Sequence, residues 1–70
     1  MEEIRRRTRS LLTEGSITPD DLWIAFYAVG GTAGPLELEA YVHGLMQISM
    51  IDAELLSDAL LELQERRFGR

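Results

Sequence analysis

The residues equipped for chemistry are few and dispersed. His43 is the single histidine, with Glu39 four residues before it and Gln47 four after. On one helical face, a glutamate at that spacing can orient an imidazole as a general base. The pair has nothing to activate. No serine sits in a Gly-x-Ser-x-Gly elbow, and neither a His-Glu-x-x-His motif nor a second histidine offers metal-ligand spacing. Asp20 and Asp21 are adjacent and diverge around a helix, and there is no Asp-x-Asp-x-Asp-Gly loop for a hard cation. Cysteine is absent, which removes thiolate ligands and disulfides alike. The sequence therefore predicts a non-enzymatic protein with no catalytic, cofactor-binding or metal-ligating residues.

Gly30-Gly31-Thr32-Ala33-Gly34 invites a phosphate-loop reading that fails in detail. It lacks Gly-Lys-[Ser/Thr] and a preceding strand, and Glu37 and Glu39 follow where a phosphate would need positive charge. The same two glutamates argue against a DNA-reading helix over Leu36 to Gln47, because duplex DNA demands cations on the face that enters it. The segment reads as a connector between helices.

Charge is sorted along the chain more sharply than the net −5 suggests. All seven basic residues are arginines at the two ends: Arg5, Arg6, Arg7 and Arg9, then Arg66, Arg67 and Arg70. The middle is acidic, and Glu54, Asp58 and Glu62 form a row at successive i+4 spacings. Like charges so spaced destabilise an isolated helix, so a cationic neighbour is favoured. The arginine ends are candidates for that role, within one chain or between two copies. Lysine is absent, as codon bias in a GC-rich bacterial genome would produce, and carries no functional meaning.

Four helices must position these groups. Ile4, Thr8, Leu11 and Leu12 give Glu2 to Thr13 a thin apolar stripe, closed by Glu14-Gly15-Ser16. Thr18-Pro19-Asp20-Asp21 opens a second helix with an N-cap, a proline at its first position and two carboxylates at the positive dipole end. Leu22 to Val29 is apolar on every face, so this helix (about 19–29) is expected at the centre and most buried, before Gly30-Gly31 ends it. Pro35 opens a third, with Leu38, Tyr41, Val42, Leu45 and Met46 as its stripe and Gly44 inside it. Ser49 caps a fourth, in a capping-box pattern with Asp52 in place of glutamate. It runs to about Arg67, with Ile51, Leu55, Leu56, Ala59, Leu60 and Leu63 on its apolar face. No strand pattern appears. The expected fold is all-α, a compact four-helix bundle in one domain (1–70), with residues 1–14 an arginine-rich helix or arm and 18–67 the helical core.

At 70 residues the stability terms nearly cancel. Ordering the chain costs about 105 kcal/mol. Burying about 7,000 Å², about 60% of it apolar, returns about the same. A partner that binds only the folded state supplies the missing margin, so self-association is expected. The longest apolar run, Leu22 to Val29, is too short for a membrane span, and the arginine-rich start lacks the apolar core of a signal peptide. These features together predict a cytoplasmic regulatory or adaptor module acting through protein–protein contacts, most simply a homodimer. Arg5, Arg6, Arg7, Arg9, Glu54, Asp58 and Glu62 are its candidate contact residues, joined by Trp23 and Tyr27 of the apolar helix. The alternative is nucleic-acid binding by the arginine-rich ends.

Overall fold

The computed structural model describes residues 2–68, with the backbone alone for Glu2, Arg67 and Phe68. It contains four helices and, among the described residues, no strand: α1 (Glu2–Glu14), α2 (Pro19–Ala28), α3 (Pro35–Val42) and α4 (Met50–Phe68). The all-α expectation is met. The body measures 34 × 24 × 20 Å. Packing is chiefly of α2 against α4, with α1 laid on α3 and α4 and α3 on α2. The first helix thus docks on its own chain.

Its stripe explains the docking. Thr8 is fully buried, and its hydroxyl donates to the Ile4 carbonyl at 2.8 Å, so no polar atom is stranded. Ile4, Leu11 and Leu12 pack on the rim of the core, whose centre holds Phe26, Leu56, Ala59 and Leu60. The N-cap of α2 forms as its residues dictate: Thr18 Oγ1 accepts from the Asp21 N–H at 3.0 Å, with Pro19 at the first position.

Three expectations change. The all-round apolar α2 is not covered all round. Leu22, Ala25 and Phe26 are buried, but Ile24 is 60% and Tyr27 65% exposed. Its main neighbours are α4 and α3, which leaves one side of the helix open. The centre of the molecule is shared with α4, which buries Ala53, Leu56, Ala59, Leu60 and Leu63.

The second change concerns α3, which stops at Val42 rather than passing through Gly44. Gly44 takes φ +79, its N–H donates to the Tyr41 carbonyl at 2.9 Å, and the Leu45 N–H reaches Ala40 at 2.8 Å. This is the two-bond Schellman stop, and glycine is the residue that adopts its left-handed position without strain. The same pair of bonds closes α1 at Gly15-Ser16 and α2 at Gly30-Gly31. Leu45 and Met46 therefore lie beyond the helix and are exposed, not part of its stripe.

The third change is at the start of α4. Ile51 is 70% exposed, because burial on this helix begins one residue later, at Asp52 and Ala53. Only half of the expected capping box forms: Ser49 Oγ accepts from the Asp52 N–H at 3.0 Å. The Asp52 carboxylate turns instead to the α2–α3 connector. Its Oδ1 accepts from the Thr32 N–H at 3.1 Å and its Oδ2 from the Thr32 hydroxyl at 2.8 Å. Aspartate is one methylene shorter than the glutamate that reaches back in a capping box. The complete glutamate return is found on α3, where Glu37 Oε1 accepts from the Gly34 N–H at 2.6 Å.

Candidate functional site

Connector and helices together shape an apolar groove. Trp23 leaves α2 half-buried and donates its indole N–H to the Ala33 carbonyl at 3.3 Å, which ties α2 to the connector and fixes the ring. Gly31, buried in that connector, faces the Phe26 ring so closely that a Cβ would overlap it. With the connector held there, Pro35 and Leu36 begin α3 beside Trp23. The resulting cavity of about 430 Å³ is bounded by α1, α2 and α3, with Leu12, Trp23, Leu36 and Val42 among its apolar walls.

Charge borders this groove on each helix. Arg9 comes from α1, Asp20 from the first turn of α2, and Glu39 and His43 from α3. His43 is the C-cap of α3, and its backbone N–H donates to the Glu39 carbonyl at 3.1 Å. The helix ends there, so Gln47 falls beyond the Schellman stop and the expected Glu39-His43-Gln47 row does not form. Among the described residues no group of three or more His, Asp or Glu side chains could hold a metal ion.

The predicted contact residues separate into distinct places. Arg6, Arg7 and Arg9 are exposed on α1. Arg5 is half-buried, and its guanidinium reaches the end of α3, with Nη1 3.0 Å from where a Gly44 Cβ would stand. A cation there faces the negative end of a helix dipole. Glu54 and Asp58 are exposed on α4, none of whose described side chains lines the groove. Glu62 accepts from Arg66 Nη2 at 3.1 Å in an exposed i,i+4 pair, the partner its spacing suggested. The Arg67 side chain and Arg70 lie outside the described residues. Trp23 and Tyr27 stack, ring centroids 5.2 Å apart at 24°, and carry the apolar surface from the groove out along α2.

Two features of this site were missed in the sequence. Leu36 is 80% exposed at the groove, and Asp20 and Glu39 stand beside it. Leu36 falls outside the Leu38-Tyr41-Val42 stripe, which was the available signal. Comparison with known proteins yields no matching family model, curated protein or solved structure. No helix among the described residues is long and apolar enough to cross a membrane.

Proposed function

We propose that this protein is a small non-enzymatic helical module of the cytoplasm, regulatory or adaptor in role, that works through protein–protein contacts and most simply as a homodimer. One observation carries the reading. The helix with the most uniformly apolar sequence keeps an open side, where Tyr27 stacks on Trp23 next to a groove lined by Leu36. Aromatic residues set in an apolar patch and rimmed by charge are the composition of the centre of a protein interface. Such surface on so small a chain favours association, because the area that a partner covers adds stability a marginal core lacks.

Trp23 is the only tryptophan and reports on this surface directly. Dilution of the pure protein is expected to shift its fluorescence to the red as the partner leaves the half-exposed indole. An emission maximum unchanged on dilution, with a one-chain mass at every concentration, would overturn the reading.

The exposed arginines of α1 support the second reading. Arg6, Arg7 and Arg9 lie on one short helix and are open to solvent. Binding to random-sequence DNA or RNA by this helix should weaken steeply with salt. A gel shift with no retarded species at about 50 mM salt would remove it.

A further inference from the structure

We infer that the outward face of α4 receives a basic amphipathic helix of another protein. This goes beyond the self-association proposed above and uses residues outside that patch. The core residues of α4, from Ala53 through Leu56, Ala59 and Leu60 to Leu63, occupy one side of the helix. Ile51, Glu54, Asp58, Leu61 and Glu65 fall on the other, and all five are exposed. Their alternating spacing of three and four residues is that of the seam along which two helices pack. The row runs for about four turns within one helix, so its alignment follows from helical geometry alone.

The seam carries apolar side chains as well as charge. Ile51 is 70% and Leu61 52% exposed, and their separation in sequence puts them about 15 Å apart along the axis. Met50, also exposed, adjoins Ile51. Glu54 and Asp58 stand between these two apolar side chains, and Glu65 stands one turn beyond Leu61. Among the described residues none of the three carboxylates has an ion-pair partner, and the nearby Arg66 is taken by Glu62. The face thus presents apolar anchors and unpaired negative charge together.

That combination selects the occupant. It is complementary to a helix with apolar side chains about three turns apart and Lys or Arg between them. A second copy offers no such helix. Its α4 would set carboxylate against carboxylate in either direction, because acids recur from Glu54 to Glu65. Its α1 is basic, but every exposed side chain described on that helix is polar or charged, which leaves Leu61 and Ile51 without cover. Its α2 and α3 carry no Lys or Arg. Nucleic acid and anionic lipid surfaces are repelled by the same carboxylates.

The probe is a synthetic helix of about 20 residues, with leucines about three turns apart, lysines between them on the same face and alanine elsewhere. Titration into the ¹⁵N-labelled full chain reads affinity and place together. Resonance shifts are expected on the outward face of α4, centred on Glu54, Asp58 and Leu61, with little change at Trp23 and Leu36. Leu61→Ser should weaken binding about fivefold, and Glu54→Lys/Asp58→Lys about tenfold or more. These side chains are exposed, so the core stays intact, and circular dichroism checks that each variant is folded. Tyr27→Ser, on the α2 patch, should leave the affinity within about twofold. A peptide that keeps its lysines but has serine for leucine should bind about tenfold more weakly. No binding at about 1 mM peptide would overturn the inference, as would shifts centred on the Trp23 groove or equal binding of the serine peptide. A self-association lost in Glu54→Lys/Asp58→Lys would make the occupant a second copy and overturn it too. Because the α2 patch is unchanged in the α4 variants, self-association, read separately by sedimentation velocity, stands or falls on its own.

Discussion

Removing the Asp52 carboxylate should loosen the connector that positions the groove, at a cost that can be worked from its bonds. Asp52 is 5% exposed and accepts from both the N–H and the hydroxyl of Thr32. Hydrogen bonds to a charged acceptor are each worth about 1.5–3 kcal/mol. Thr32 itself is exposed, so water partly replaces the lost acceptor and the lower end applies to each bond. The carboxylate also sits in the first turn of α4, where the dipole adds about 0.5 kcal/mol. Asp52→Ala is therefore expected to lose about 3.5 kcal/mol. Thr32→Val removes the hydroxyl bond alone and should lose about 1.5 kcal/mol.

Urea unfolding followed by circular dichroism, at one fixed protein concentration, reads both. With a slope of about 1 kcal/mol per molar urea, Asp52→Ala lowers the midpoint by about 3.5 M. Its melting temperature should fall by about 14–28 °C. The two changes must also be coupled, because Thr32→Val has no carboxylate partner left to lose in the Asp52→Ala background. A double variant whose loss is the sum of the singles would refute the clamp, as would an Asp52→Ala chain within about 0.5 kcal/mol of wild type.

Gly44→Ala forces a side chain into a left-handed position and against the Arg5 guanidinium, so it should lose about 1 kcal/mol or more in the same titration. Gly31→Ala meets no left-handed backbone but has no room, since its Cβ overlaps the Phe26 ring at the centre of the core; a loss of about 1–3 kcal/mol is expected, with a change in near-ultraviolet circular dichroism as the ring and nearby Trp23 shift. Arg66→Ala breaks an exposed i,i+4 pair and should move the urea midpoint by less than about 0.5 M.

Elements were legible wherever a local rule decides them. Thr18-Pro19, the glycines after α1 and α2, and the Leu56-Ala59-Leu60-Leu63 face act through bonds to near neighbours or through helical period, and each appears where its residues place it. What was not legible depends on tertiary contact. Gly44 reads equally as a weak helical residue or as a stop, and the stop is where Arg5 of α1 meets the end of α3. Asp52 reads as half of a local capping box, and its acceptor role is claimed by Thr32, 20 residues away. The apolar run of α2 shows that the segment seeks cover without showing how much the other helices supply. The groove fell in that gap. Its walls come from three helices, and Leu36, a strongly exposed apolar side chain among them, is one that periodicity leaves without a role.

Self-association is the centre of this account, and light scattering on a sizing column at about 50 mM and about 500 mM salt tests it most directly. The apolar middle of the patch, around Trp23 and Leu36, should hold a two-chain mass at both salts. Screening of the exposed charges around that middle should shift the dimer to higher concentrations at the higher salt. A one-chain mass at both, across the concentration range, would contradict the account.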